Sequence, residues 1–148
     1  MKKIGEYTCR GQIPEGTANT KRINLFDGRF DTAYRVVRFV IAGARADDSS
    51  SDAVAKLMTE DNGINADYWN WEDNREIAWA STEHRTADGV QMVFSEVDPD
   101  NLVVEDLFIT AQNRSASNPN INYMIFMEKY DITDWQGALA MVRNKSQG

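Results

Sequence analysis

Apolar and polar residues alternate with a period of two along most of this chain, and turn residues interrupt the alternation at short intervals. That pattern predicts β-strands that bury one face, because successive side chains of a strand point to opposite sides. "EYTCRGQI" reads as a first strand, followed by the loop "PEGTANT". "KRINLF" and "RFDTAYRVVRFVIAG" read as the second and third. Between them Asp27-Gly28 is the signal of a two-residue hairpin, since both central positions of a type I′ turn need positive φ. In the third strand Val37, Phe39 and Ile41 fall on one face, and Val36, Arg38 and Val40 on the other. A strand apolar on one side and mixed on the other suits a two-layer sandwich whose outer surface is partly covered.

Further along, "ARADDSSSD" is an acidic loop, and "AVAKLMT" alternates as a strand while leaving a short helix open. "INADYWNWEDN" places Trp69 and Trp71 two residues apart, on one face of a strand, and "REIAWASTEHR" puts Ile77 and Trp79 on one side of the next. "VQMVFSEV", "LVVEDLFITAQN" and "INYMIFMEKYDI" complete the strands, the last with Ile121, Tyr123, Ile125 and Met127 on one face. "DPDN" opens a tight turn, with Pro99 pre-setting φ at its first central position. Thr133 and Gln136 stand at capping-box spacing and predict a short C-terminal helix, which Gly137 weakens; residues 144–148 read as a loose tail. The expectation is one all-β domain over residues 1–148, with about eight strands in an antiparallel β-sandwich or jelly-roll-like arrangement.

A chain of 148 residues buries roughly two-thirds of its unfolded surface, so stability requires neither metal nor disulfide. No apolar run approaches the roughly 20 residues that would span a bilayer as a helix, which argues against a membrane partner. "MKKIGEYTCRGQ" has two lysines but no apolar segment after them, so the chain is read as made and used, or assembled, in a cytoplasm. The net charge of −7 argues against nucleic acid as a partner. The charge is unevenly spread: residues 1–45 carry a net +5 and residues 46–148 a net −12. This asymmetry would make one copy attractive to the next or to a charged lattice, unless both sets are scattered over a solvated surface. Lys2, Lys3, Arg10, Lys21 and Arg22 would line up across the first two strands, or guard sheet edges against unwanted pairing.

Reactive groups are sparse. Cys9 is the only cysteine, read as a small buried residue on the first strand, and His84 is the only histidine, read as a surface residue. A Ser–His–Asp arrangement would have to use His84, and no nucleophile elbow accompanies any serine. No phosphate-binding glycine loop occurs, and no cofactor is expected. "DDSSSD" and "DPDN" offer oxygen ligands of the kind Ca²⁺ accepts, but without EF-hand spacing; solvated loops are the better reading, and no metal is assigned. Glu72 and Asp73, like Glu105 and Asp106, are adjacent and would point to opposite strand faces, badly placed for shared acid–base work. Trp69, Trp71 and Trp79 read first as core, next as an interface anchor, and otherwise as a sugar-stacking platform.

"INLFDGRFDTAYRVVRFVIAG", "DNREIAWAS", "VDPDNLVVEDLFI" and "INYMIFMEKYDITDWQGALAMVRNKSQ" resemble small virion structural proteins of tailed phages, along nearly the whole chain. The shared features are strand-and-turn patterns, and no catalytic or binding residue is carried over. The resemblance implies a non-enzymatic part of a particle: a capsid decoration or cement protein, or else a tail or head–tail connector component. It implies a location in the virion after assembly in the host cytoplasm, with copies of itself and a major capsid or other virion protein as partners. A homo-oligomer would fit this role. Candidate interface residues are Lys21, Arg22, Val36, Arg38, Val40, Trp69 and Trp71. The reading from a different class is a carbohydrate-binding module using Trp69 and Trp71, and a hydrolase using His84 or scattered carboxylates ranks last.

Overall fold

The computed structural model describes residues 2–14, 19–29, 31–45, 50–114 and 120–132. In them the alternating segments form eight strands: β1 (Lys2–Ile13), β2 (Asn19–Asn24), β3 (Thr32–Gly43), β4 (Ser50–Met58), β5 (Glu76–Arg85), β6 (Val90–Val97), β7 (Asp106–Asn113) and β8 (Ile121–Asp131). Every pairing is antiparallel, and the strands divide into a three-stranded sheet, β1-β8-β3, and a five-stranded sheet, β2-β7-β4-β5-β6. The antiparallel β-sandwich expected from the sequence is the fold, and "AVAKLMT" lies in β4 up to Met58 rather than in a helix. The helix expected after Thr133 and the tail lie outside the described residues.

The two inner faces are complementary in size. The three-stranded sheet contributes Phe39, Ile41, Tyr123, Ile125 and Met127, whereas the five-stranded sheet supplies many alanines, including Ala53, Ala55, Ala78, Ala80 and Ala111. Large side chains meeting small ones allow two twisted sheets to interdigitate without voids. Cys9 is half-buried against this core, and burial pushes its thiol up from the ordinary value. A smaller cluster of Ala33, Val104 and Ile132 forms where the 102–105 segment crosses β3 and pairs Val103 with Tyr34.

Three expectations are corrected by the backbone. Asp27-Gly28 does not close a hairpin, because β2 pairs with β7 in one sheet and β3 with β8 in the other. Gly28 does take positive φ (+87°), but the turn lies in a crossover between sheets. The Asp27 carboxylate accepts hydrogen bonds from the Arg29 N–H (3.0 Å), the Thr32 hydroxyl and the Lys129 ammonium of β8 (2.7 Å). The Lys129 contact is the main reason its carboxyl is held below the usual range.

The second correction concerns β3. Val36 pairs with Met127 and Arg38 with Phe126, so Val37 is the extra residue of a β-bulge. The bulge breaks the alternation: Val36 is 2% exposed in the core beside Phe39 and Ile41, whereas Val37 is 44% exposed. Val36 therefore does not belong to the outer face with Arg38 and Val40.

Thirdly, β4 and β5 contain another irregularity, at which Leu57 pairs with Ala78 but Met58 with Glu76. It turns Ile77 into the core, while Trp79 hydrogen-bonds Glu76 on the opposite face, so Ile77 and Trp79 do not share a side.

Candidate functional site

Lys56 lies in the middle of β4 and is fully buried, yet it is not part of the apolar core. Its register partner on β5 is Trp79, and the segment from Thr59 to Arg75 covers both on the outside of the five-stranded sheet. The Lys56 ammonium donates to Glu76 Oε2 (2.9 Å) and to the Tyr68 carbonyl (3.0 Å). Glu76 is equally enclosed and uses both its oxygens: Oε1 accepts from the Asn70 N–H and from Trp79 Nε1, each at 2.9 Å, and Oε2 also accepts from Asn62 Nδ2 at 2.9 Å. A buried ion pair persists only when further hydrogen bonds satisfy both groups, and here all of those bonds except that from Trp79 come from the covering segment. The pair is therefore the clasp that holds the segment to the sheet.

The segment is ordered locally by its asparagines and aspartates. Asp61, Asn62, Asn70 and Asp73 each accept, through the side chain, the backbone N–H two residues on, the hydrogen bond that makes these residues turn formers. Asp73 also chelates the Arg75 guanidinium at 2.9 Å and accepts from Asn62. Arg114 reaches across to Asp67 at 3.0 Å.

This arrangement gives an acid-lability prediction. The Arg75 guanidinium beside Asp73 holds its carboxyl at about 2, against an ordinary 3.8, with the Asn62 amide helping and burial opposing. The folded value lies below the unfolded one, so the stabilisation is full above about pH 5 and is lost as pH falls through 4 towards 2. It is on the order of 2 kcal/mol, roughly half of it gone by pH 3. Urea unfolding at pH 7 and pH 3 is expected to show the gap between wild type and Asp73→Asn narrowing by about 1 kcal/mol at the lower pH.

What the clasped segment presents to solvent is aromatic. Tyr68 is 61% and Trp71 65% exposed. Trp71 leans on Trp79 (ring centroids 5.7 Å, planes at 57°), and half-buried Trp69 stacks on Phe94 of β6 (5.5 Å, 30°). Trp69 Nε1 is buried with no hydrogen-bond partner among the described residues. Trp69 and Trp71 thus sit in an irregular segment rather than on one face of a strand, and each ring rests on a different aromatic neighbour. The many asparagines and aspartates around them favour turns over a ladder.

The other predicted interface residues lie elsewhere. Lys21, on β2, is exposed with its ammonium 5.4 Å from the Tyr123 ring centroid, and Arg22 pairs with Asp106 at 3.0 Å. Arg38 is exposed above the Phe126 ring (5.2 Å), with half-buried Val40 following it on β3, and Val36 is in the core. The structure therefore separates the seven residues into the β2 edge, the outside of β3, the core and the clasped segment. Lys2, Lys3 and Arg10 do not line up with Lys21 and Arg22, because β1 and β2 belong to different sheets. Lys3 bonds Glu128 and Glu6 instead, which raises its pKa.

His84 is half-buried and stands opposite Ser51 in the register, in a groove of about 290 Å³ at the sandwich mouth lined also by Ile41 and Val93. Ser51 Oγ has no hydrogen-bond partner among the described residues, so this serine and histidine do not form a nucleophile–base pair. No group of three or more His, Cys, Asp or Glu is placed to hold a metal among the described residues. The Lys56–Glu76 clasp does not show in the sequence. Its one local sign was a lysine interrupting the alanines and leucine of "AVAKLM", ahead of the Asn- and Asp-rich "DYWNWEDN". Compared with known proteins, the chain matches no family model, no curated protein and no solved structure.

Proposed function

We propose that this chain is a non-enzymatic structural protein of a phage particle, a decorating or cementing β-sandwich that docks on its neighbours through the clasped aromatic segment. The observation that carries the reading is the exposure of Tyr68 and Trp71 on a segment fixed by a fully buried ion pair. Holding large aromatic side chains rigid before binding reduces the ordering cost of association, and tryptophan and tyrosine are the residues most often found at the energetic centre of interfaces. The resemblance to virion structural proteins gives the class of partner, a shell or other virion protein arranged as a lattice. Many weak copies of one contact then add up by multivalency.

The test is binding of the purified protein to the particles that carry it. Trp71→Ala is expected to weaken binding by about 30-fold, the size of a hot-spot loss of 2 kcal/mol, with the unfolding midpoint nearly unchanged because the ring is mostly in solvent. Unaltered particle binding by Trp71→Ala would remove this face from the reading. The same exposed rings also favour a second reading, a carbohydrate-binding module, which predicts that a glycan array binds wild type and not Trp71→Ala. Labelling the protein in electron micrographs distinguishes a place on the head from one on the tail or connector.

A further inference from the structure

Among the described residues the sandwich has four edge strands, of which three carry the usual guards against strand pairing. β1 has Lys2, Lys3, Glu6 and Arg10 and a bulge after Lys3; β2 has Lys21 and Arg22; β3 has Arg35, Arg38 and its bulge. Charges and bulges of this kind keep open edges from pairing with other chains.

The fourth edge, β6, has none over its first half. The run "VQMVFS" from Val90 to Ser95 contains no charge, proline or glycine and follows β5 without a bulge, which is the composition that favours β pairing. Its apolar side chains are exposed on both faces: Met92, opposite Glu83, is 64% exposed, and Val93, opposite Thr82, is 72% exposed. The second half is attached to β3, where the Ser95 hydroxyl donates to the Phe39 carbonyl. The first half therefore presents an unguarded edge.

We infer that β6 is the edge through which two copies of this chain join, pairing antiparallel about a two-fold axis at Val93 so that one sheet runs through both copies. This deepens the assembly reading above by naming a self-contact and the strand that makes it. A second copy fits because a two-fold antiparallel pair needs one residue facing its own equivalent, and an axis at Val93 pairs positions 90–96 of one copy with positions 96–90 of the other. In that register Met92 lies against Phe94 of the second copy, extending the Trp69–Phe94 stack across the axis. Val90 lies against Glu96 of the second copy, and Arg85 is the neighbour of Val90 on β5. In this register Glu96 of the second copy falls in the same cross-strand row as Arg85, which also pairs with Glu83 at 3.0 Å, so opposite charges from the two copies share a row on each side of the axis and favour this register.

Sedimentation velocity of the full chain at high micromolar concentration is expected to show a dimer. Val93→Lys is expected to be monomeric with unchanged far-ultraviolet circular dichroism, and with the thermal midpoint of wild type when both are compared at a dilution where wild type is monomeric too, because Val93 is exposed in the single chain and two ammonium groups would meet at the axis. In a Cys9→Ala background, Val93→Cys is expected to oxidise to a covalent dimer, whereas Thr8→Cys on β1 is not. A monomeric wild type, a dimer that survives Val93→Lys, or equal cross-linking of the two cysteine variants overturns the inference. Trp71→Ala separates it from the docking reading: that variant is expected to dimerise normally while losing particle binding. Dimerisation through β6 together with undiminished particle binding by Trp71→Ala supports this inference and rejects the docking face.

Discussion

Glu76→Leu is expected to destabilise the protein more than Lys56→Met, although the two side chains are equally buried and bond each other. Breaking a buried ion pair from one side costs about 3–5 kcal/mol, because the remaining charge stays in a medium that does not solvate it. The two remnants differ here. After Lys56→Met, Glu76 still accepts from Asn62, Asn70 and Trp79. After Glu76→Leu, the Lys56 ammonium keeps only the Tyr68 carbonyl among these bonds, and three donors lose their acceptor together. Glu76→Leu is therefore placed at or above the top of that range and Lys56→Met near its lower end. The double variant Lys56→Met/Glu76→Leu is expected to recover part of the loss, since no buried charge remains. Urea unfolding of the four proteins measures the order directly, and the reverse order would make the lysine rather than the carboxylate the centre of the clasp. On the docking reading proposed above, Lys56→Met has a functional consequence as well. It touches nothing outside the protein, yet by loosening the segment under Trp71 it is expected to weaken particle binding in proportion to the order lost.

Most of the strands are legible because they bury one face, and burial imposes a period of two that residues such as Ile121, Tyr123, Ile125 and Met127 record. What escapes the sequence has more than one cause, and the first is a partner distant along the chain. Asp27-Gly28 reads as a hairpin because the dipeptide encodes positive φ, and Gly28 has it. Local chemistry fixes the turn but not which sheet the next strand joins, and the Lys129 anchor that holds Asp27 lies about a hundred residues away. Spacing alone places Trp69 and Trp71 on a strand, whereas the asparagines and aspartates beside them bond their own backbone and draw the segment away from a ladder. The clasp was hidden for a third reason. A lone lysine within an apolar run is ordinarily a solvated side chain, and only the fold brings Glu76 from the next strand to meet it.

The sharpest test of the difference between pattern and structure is a pair of neighbouring valines. Strict alternation through β3 puts Val37 in the core with Phe39 and Ile41 and leaves Val36 outside with Arg38. The bulge reverses the two: Val36 is enclosed and Val37 is open to solvent. Val36→Asp is therefore expected to place a carboxylate among Phe39, Ile125 and Met127 with nothing to pair it. An unpaired buried charge belongs to the rare substitutions that cost more than about 4–5 kcal/mol. Against a typical stability of about 5–15 kcal/mol, that loss leaves Val36→Asp largely unfolded or close to it. Val37→Asp adds a charge beside solvent and is expected to change stability by no more than about 0.5 kcal/mol. Thermal unfolding of the two variants reads the contrast in one experiment, and a large loss in Val37→Asp with a small one in Val36→Asp would restore the regular strand. The contrast also bears on assembly. With Val37 outside, the surface around Arg38, Val40 and Phe126 gains an apolar side chain that alternation assigns to the core, and it does so on an edge that the bulge itself protects from pairing. β3 is thus suited to side-chain contact and not to strand addition, which leaves β6 as the edge through which a sheet can be extended.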